Sequence, residues 1–143
     1  MSTDAMAWAA ENALQQALLD AARGDAAVRA LLGDPARLFD GETDGAAFPY
    51  AVLERHEVAE RSSAGVAGQS HTVSFGVRSR YGGRRRAIEV VGALRASLET
   101  AVITLPQQRI VLLQTVYADV MRTPDLTAFR GVLRVRVITE EVA

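Results

Sequence analysis

The chain has 143 residues with a formal net charge of −1, and 49% of the residues are hydrophobic. This length fits a single globular domain, residues 1–143, and the near-neutral charge argues against a general nucleic-acid binder. The absence of cysteine excludes disulfides and thiolate chemistry, and no apolar run approaches the roughly 20 residues that span a bilayer, so we expect no membrane partner.

Two amphipathic helices are predicted at the start of the chain. The second runs from Ala26 to Leu32, with Asp25 as its N-cap and Gly33 at its end. The first helix has its possible caps and its apolar side at the following positions: Ser2, Thr3 or Asp4, then Trp8, Leu14, Leu18 and Ala21 or Ala22.

A long polar β-hairpin is predicted next. Its first strand, about Tyr50 to Glu60, is polar on both sides after Leu53, so it cannot lie in a core along its whole length. We therefore expect the hairpin to project from the body of the protein. Ser62 to Gln69 is the predicted tip, because small residues and two glycines favour a mobile turn.

The stretch from His71 to Leu98 predicts a strand, a glycine turn and a helix. Alternate residues of the strand, from His71 to Val77, are expected to form one buried face. Tyr81-Gly82-Gly83 ends the strand because adjacent glycines reach backbone angles closed to other residues. The helix that follows has an expected apolar stripe at Ile88, Val91, Leu94 and Leu98.

Two strands are predicted to complete the sheet. Arg109 to Met121 is apolar on both faces in its first half, which predicts a central position. Thr127 to Ile138 has Phe129, Leu133, Val135 and Val137 on one face and arginines on the other. The element order, ααβββαββ or close to it, predicts an α+β fold in which helices cover one face of a mainly antiparallel sheet of about four to five strands.

The sequence offers no pattern typical of a catalytic or metal site. His56 and His71 flank the predicted tip, but their separation matches no metal-ligand spacing and no cysteine completes a site. The serines near the tip have no nucleophile-elbow motif around them. We expect no catalytic residues, no metal and no cofactor, and a structural role for each histidine.

The positive charge of the chain is carried by arginine alone and is unevenly distributed. Residues 1–60 hold 11 acids and 4 arginines, whereas residues 61–143 hold 6 acids and 12 arginines. Arg84, Arg85 and Arg86 lie at a predicted helix start, where positive charge opposes the helix dipole. Solvation, a subunit contact and a nucleic-acid phosphate are all consistent with this triplet.

Five further arginines share strand parity on the predicted outer face and form what we call the arginine stripe: Arg78, Arg80, Arg130, Arg134 and Arg136. One hypothesis is that Glu54 or Glu60 on the adjoining strand pairs with them. The other is that the stripe docks the acidic loop of another subunit, Asp40 to Asp44, since arginine binds carboxylates in a bidentate manner.

Several segments, taken in order, resemble a known family. They are Asp25-Ala26-Ala27-Val28 leading to Leu31-Leu32-Gly33, Arg37-Leu38-Phe39-Asp40, Ala47-Phe48-Pro49-Tyr50, Ser79-Arg80-Tyr81-Gly82-Gly83 and Gly131-Val132-Leu133-Arg134-Val135-Arg136. The set covers nearly the whole chain. It resembles the small tail-completion proteins, or tail terminators, of long-tailed phages and gene transfer agents.

The resemblance implies a structural virion protein without catalytic residues. Such a terminator forms a ring, usually of six copies, on the head-proximal end of the tail tube, stops tube growth and joins the tube to the neck or connector. DNA passes through the ring without specific recognition. The protein would be assembled in the bacterial cytoplasm and located in the virion or gene-transfer particle. A neck adaptor and a nucleic-acid-binding module are the alternatives.

Three sets of residues carry the expected contacts of such a protein. The subunit or neck interface comprises Arg78, Arg80, Arg84, Arg85, Arg86, Arg130, Arg134 and Arg136. The acidic counter-surface comprises Asp40, Glu42 and Asp44. The tube-contacting part of the hairpin comprises Glu57, Glu60, Arg61, Ser62, Ser63, Gly65, Gly68 and Gln69.

Overall fold

The computed structural model describes residues 3–142, and within them the side chains of residues 9–62 and 64–142. The elements are α1 Thr3–Arg23, α2 Ala26–Leu32, β1 Leu38–Phe39, β2 Tyr50–Ser63, β3 Val66–Ser79, α3 Gly83–Thr100, β4 Gln108–Arg122 and β5 Phe129–Glu141. The predicted caps of the first helix and the Trp8 side chain lie outside this described part. None of the described helices is long and apolar enough to cross a membrane.

The five strands form one sheet in the order β1-β2-β3-β5-β4, in which β1 pairs parallel to β2 and the other neighbours are antiparallel. Apolar residues from one face of this sheet share a single core cluster with α1, α2 and α3. We call this the inner face and the opposite one the outer face. The predicted α+β class is confirmed.

Local sequence signals account well for α2 and for β3. The Asp25 carboxylate accepts hydrogen bonds from the amides of Ala27 and Val28 at 2.9 and 3.1 Å, and Gly33 ends the helix with φ of +92°. Alternate residues of β3, from His71 to Val77, are fully buried, so the predicted inner face of that strand is confirmed.

The predicted apolar stripe of α3 is wrong at one position. Ile88 is 52% exposed, and the helix instead buries Ala87. The reason is helical geometry, because Ala87 and Val91 lie seven and three residues before Leu94 and share its side, whereas Ile88 lies six residues before it.

The predicted eight-residue mobile tip is also wrong. The turn consists of Ala64 and Gly65, both at positive φ, and Ser63 pairs directly with Val66. The strands continue through the small residues because β5 accompanies β3 as far as Gly68, where a Cβ atom would meet two backbone carbonyl oxygens. The hairpin extends beyond β5 by its last two residue pairs.

The central position predicted for β4 is wrong, since β4 is an edge strand. Its inner side lies towards α3, but no further strand pairs with its outer edge in the described part of the chain. The strand therefore leaves large apolar side chains exposed, two from the apolar run of its first half and three from its second half, namely Val111, Leu112, Val116, Tyr117 and Met121. We call these five residues the β4 strip.

Candidate assembly surface

The arginine stripe lies on the outer face, opposite the helices. Arg78 of β3 pairs in register with Arg130 of β5, and Arg134 and Arg136 follow at alternate positions of β5. Arg80 lies just beyond the end of β3, so its predicted place in the stripe is wrong. The strand ends at Ser79, and the Arg80 guanidinium instead lies over the Phe48 ring, 4.7 Å from the centroid.

Two of these arginines form a compact ionic group with Glu54, which we call the base cluster. Glu54 lies where the β2–β3 register shifts, between Leu53 and Arg55. Its carboxylate accepts a hydrogen bond from Arg78 Nη2 at 2.8 Å and from Arg130 Nη2 at 3.0 Å. A Cβ atom on Gly76 would overlap the Glu54 carboxylate and the Arg78 guanidinium, so the cluster lies directly over a glycine.

The pKa of Glu54 reflects these contacts. Burial alone would raise the pKa, but the hydrogen bonds and charges of Arg78 and Arg130 outweigh it and lower the pKa below its ordinary value. For Arg78 and Arg130, the structure therefore shows the first of the two hypotheses, pairing with Glu54. Arg78 also contacts Glu42 at 3.2 Å.

Arg134 and Arg136, which we call the mid-strand pair, have neutral partners. Arg134 Nε donates to Ser74 Oγ at 3.3 Å, and its guanidinium lies 5.1 Å from the Tyr117 ring centroid. Arg136 Nε donates to Ser70 Oγ at 3.4 Å. Among the side chains that the structure describes, neither arginine forms an ion pair with a carboxylate. Two neighbouring cations on one face are thus left without local compensation.

The β4 strip borders the mid-strand pair. Leu112, Tyr117 and Met121 lie opposite Ile138, Arg134 and Arg130, which places them on the outer face. Val111 and Val116 occupy the two positions where the β4–β5 register shifts. The sequence analysis did not predict this exposed surface. The apolar residues of β4 were the available signal, but a run that is apolar on both faces predicts a buried central strand. An exposed apolar strip beside unpaired cations is typical of a contact surface.

The arginine triplet at the start of α3 is engaged within its own chain. Arg84 Nη1 donates to the Val120 carbonyl oxygen at 2.9 Å, and its guanidinium lies 5.4 Å from the Phe129 ring centroid. Arg85 and Arg86 approach Glu89 at 3.1 and 4.0 Å. These contacts offset the unfavourable position of three cations at a helix N-terminus.

The acidic loop lies at the base-cluster end of the sheet. Glu42 contacts Arg78, and it also accepts a hydrogen bond from the Tyr50 hydroxyl at 3.4 Å. Asp40 and Asp44 are exposed and form no ion pair within the described residues. Glu42 therefore ties the loop to one end of the stripe, while Asp40 and Asp44 stay exposed.

The predicted hairpin residues form local pairs or face solvent. Glu57 pairs with Arg55 at 3.1 Å, and Gln69 Nε2 donates to Glu60 at 3.4 Å. Arg61 and Ser62 are exposed, whereas the Ser63 side chain lies outside the described part of the structure. Gly65 lies in the turn at positive φ, and Gly68 lies where the backbone of β3 closely approaches β5.

A cleft of about 420 Å³ lies between Phe48, Arg80 and the β4–β5 loop. Asp125 in this loop accepts hydrogen bonds from the Thr123 hydroxyl and the Thr127 amide, and these bonds lower its pKa to about 2. The Asp125 carboxylate thus fixes the conformation of the loop between Thr123 and Thr127. In the described part of the chain, no three His, Asp or Glu side chains are grouped so as to hold a metal ion.

The structure brings together two residues that the sequence treated separately. His56 and His71 lie in contact on the inner face of the hairpin, with His56 Nε2 and His71 Nδ1 2.8 Å apart. The missing information was the turn position, since a turn at residues 64–65 places positions 56 and 71 diagonally across the two strands.

Comparisons with known proteins agree with this architecture. A chain of a solved structure, described as "Virion of native gene transfer agent (GTA) particle", superposes with a TM-score of 0.81 at 28% sequence identity, covering 93% of this chain and 98% of that chain. No curated protein matches the sequence. The model of the family described as Tail completion protein gp17 matches residues 16–140. The predicted resemblance and the predicted virion localisation are confirmed, and the chain belongs to the tail completion protein gp17 family.

Proposed function

We propose that this tail structural protein is a tail terminator, a ring of six copies on the head-proximal end of the tail tube. The ring stops tube growth, joins the tube to the neck, and lets DNA pass through without specific recognition. Family membership and the likeness to a gene transfer agent particle chain support this role. The observation that carries the assembly step is the mid-strand pair, whose two cations have no carboxylate partner among the described side chains.

The contact between subunits joins the mid-strand pair of one copy to the acidic loop of the next. Glu42 is engaged by Arg78 of its own chain, which leaves Asp40 and Asp44 for the neighbour. Bidentate pairing of arginine with carboxylate sets the register of this contact. The β4 strip beside the arginines adds apolar area. Because the two surfaces differ, the association is heterologous, and it forms a ring when the rotation between neighbours closes, as proposed here for six copies.

A particle lacking this protein tests the terminator role itself. Tubes assembled without a terminator are expected to grow beyond their normal length, and purified protein added during assembly should restore it. Electron microscopy of the tubes measures both. Tubes of normal length that fail to join heads would contradict the proposal and identify a neck adaptor instead.

Charge reversal tests the subunit contact. The double substitution R134E and R136E is expected to leave a folded monomer that neither forms rings nor caps tubes, as seen by circular dichroism and electron microscopy. The matched control is R29E with R95E, which reverses two exposed arginines on helices outside the expected interface. Adding D40R and D44R to the first variant should restore rings. Normal rings in R134E and R136E alone would contradict the contact.

Shortening the hairpin tests its contact with the tube. Replacing residues 61–68 by Asn-Gly keeps the Glu60–Gln69 pair as the last one of the hairpin and supplies a two-residue turn. Rings are expected to form, but tubes should remain uncapped. Replacing Ala64-Gly65 alone by Asn-Gly is the control, because it preserves the full hairpin. Capped tubes of normal length with the shortened hairpin would refute this role.

A further inference from the structure

The sheet has an open strand edge on each of its two sides. β4 forms one of them, and within the described residues no strand pairs with its far side. On the other side, β1 covers only Ala51 and Val52, so β2 is open from residue 54 onward. The His56 side chain is 2% exposed although the residue as a whole is half-buried, which places its backbone in solvent. Open edges of this kind present N–H and C=O groups that pair readily with another chain.

The directions of the two edges suit neighbouring copies in a ring. Each step from β2 to β3, from β3 to β5 and from β5 to β4 reverses the chain direction, so β4 runs opposite to β2. Copies that are related by rotation about an axis along the strands keep their direction. β4 of one copy therefore meets β2 of the next copy in an antiparallel arrangement, which is the more stable form of strand pairing.

The register shifts define which residues of the two edges are regular. In β4, the shifts at Val111 and Val116 leave one regular run between them, residues 112–115. Followed across β5 and β3, this run lies in the same rows of the sheet as residues 56–59 of β2, a row being a residue and its register partners. The shift in β2 at Glu54 lies one row beyond the shift at Val116. The two edges are therefore regular over the same rows.

The side chains of the two runs match when equal rows meet. Each residue then faces one on the same side of the sheet, and cross-strand neighbours of this kind stabilise a sheet. Two of the pairs are apolar and one joins an amide donor to a carboxylate: Leu112 with Ala59, Leu113 with Val58 and Gln114 with Glu57. Val58 and Leu112 are each 37% exposed in the single chain, so the contact would cover apolar surface that the fold leaves in solvent.

The acidic loop lies level with the mid-strand pair. Asp40 directly follows β1, whose Phe39 pairs with Val52 of β2. Traced across β3 and β5, Val52 lies two rows from Arg134, and the parallel course of β1 carries Asp40 towards that row. Joining β4 to β2 of the next copy thus brings an exposed carboxylate to the level of the mid-strand pair. Joining two β4 edges would instead leave both acidic loops at the far sides of the sheets.

We propose that the open edge of β4 pairs antiparallel with the open edge of β2 in a neighbouring copy, with residues 112–115 opposite residues 56–59. The sheet then continues from one copy to the next. This inference rests on the proposed ring and identifies the backbone contact that joins its subunits. The mid-strand pair and the acidic loop select the register, since the apolar pairs alone tolerate a slip along the strands.

Engineered disulfides test the register, because the chain contains no cysteine. In E57C with Q114C, both thiols lie on the outer face, and three strand spacings separate them within one chain, about 14 Å, which is too far for a disulfide. Oxidation during tube assembly is expected to give a ladder of linked copies, up to six, on a non-reducing gel. The control is E57C with M121C, which places the second thiol at the far end of β4 and should give no ladder.

The outcomes separate this pairing from the terminator role. Tubes of normal length without a ladder would overturn the pairing and leave the terminator role intact. Products limited to dimers after complete oxidation would identify contact between two β4 edges and would also overturn it. A ladder on tubes of uncontrolled length would support the pairing and contradict the terminator role.

A charge at the paired edge gives an independent test. V58K places a lysine inside the expected contact, where it opposes strand addition, so a folded monomer that forms no rings is expected by circular dichroism and electron microscopy. V66K is the matched control, because Val66 is also 37% exposed but lies at the end of the hairpin beyond the paired run. Equal ring formation by V58K and V66K would overturn the pairing, even if the cysteine variant does not cap tubes.

Discussion

The base cluster and the mid-strand pair are made of the same residue type on the same sheet face, yet they have opposite surroundings. Arg130 lies four residues before Arg134 on β5 and donates to Glu54, whereas Arg134 donates to a serine hydroxyl. The difference comes from a register shift that presents Glu54 and from a glycine that makes room for its carboxylate. On this sheet face, an arginine forms an ion pair within the fold where a neighbouring strand supplies a carboxylate and a glycine leaves room for it.

This contrast also separates stability from assembly. The Glu54 and Arg78 side chains are 20% and 21% exposed, so their pairing takes place largely out of water. The mid-strand pair makes only weak contacts with hydroxyls and a ring face. We therefore expect the first group to contribute to the free energy of unfolding and the second to contribute to binding, and four predictions measure how sharp this division is.

The largest expected effect follows from E54Q. Glutamine carries no charge, so Arg78 and Arg130 face each other without a shared counter-charge, and we expect the free energy of unfolding to fall by about 2 kcal/mol. Urea denaturation at pH 7 measures it. The control is E57Q, since Glu57 and Arg55 are mostly exposed and their pair should contribute less than about 0.5 kcal/mol. Equal losses of unfolding free energy in E54Q and E57Q would show that the base cluster contributes no more than an exposed surface ion pair.

Low pH should abolish the difference in the free energy of unfolding between the wild-type protein and E54Q. The pKa of Glu54 is lower in the folded chain than its ordinary value of 4.5, so its contribution is present above that pH and disappears as the pH falls through the folded-state pKa. Protonated Glu54 resembles glutamine, and the gap in stability between the wild-type protein and E54Q should therefore close below pH 4.5. Burial lowers the pKa values of His56 and His71, so their protonation in acid also lowers the free energy of unfolding, but it does so equally in both proteins. A gap that is constant down to pH 2 would show that Glu54 acts through packing alone.

Local patterns in the sequence were sufficient to predict much of the fold. The cap and the end of α2 depend on Asp25 and Gly33 at fixed offsets, and the buried side of β3 depends on strict alternation. Both signals act over a few residues. They remain valid whatever the rest of the chain does, which is why these elements were predicted correctly.

Features that depend on strand order were beyond the same reasoning. The run Ile110–Leu113 is apolar on both faces, and only the pairing of β3 with β5 shows that β4 lies at an edge. The contact of His56 with His71 requires the turn position, and the base cluster requires the register shift at Glu54. Each of these joins residues far apart in the sequence through a geometry that no local spacing specifies.

A smaller effect is expected from G76A. The added Cβ atom would meet the ends of two flexible side chains, which can move, but moving them pulls the Glu54 carboxylate from its arginines. We expect a loss of about 1–2 kcal/mol in the free energy of unfolding by urea denaturation. G92A is the matched control, because nothing lies within 4 Å of a Cβ at that helical position. There alanine should stabilise the protein by up to about 1 kcal/mol. A loss in G92A as large as in G76A would point to a general intolerance of added methyl groups.

The smallest effect on stability is expected from R134Q combined with R136Q. Their serine contacts are 3.3 and 3.4 Å long, and removing two neighbouring like charges relieves a repulsion, so the free energy of unfolding should change by less than about 0.5 kcal/mol. Measured on the monomer, this value isolates the fold from any ring contact. The same variant should fail to cap tubes. A loss near that of E54Q would assign these arginines to the fold after all, whereas unchanged stability with lost capping requires that their partner lies on another molecule.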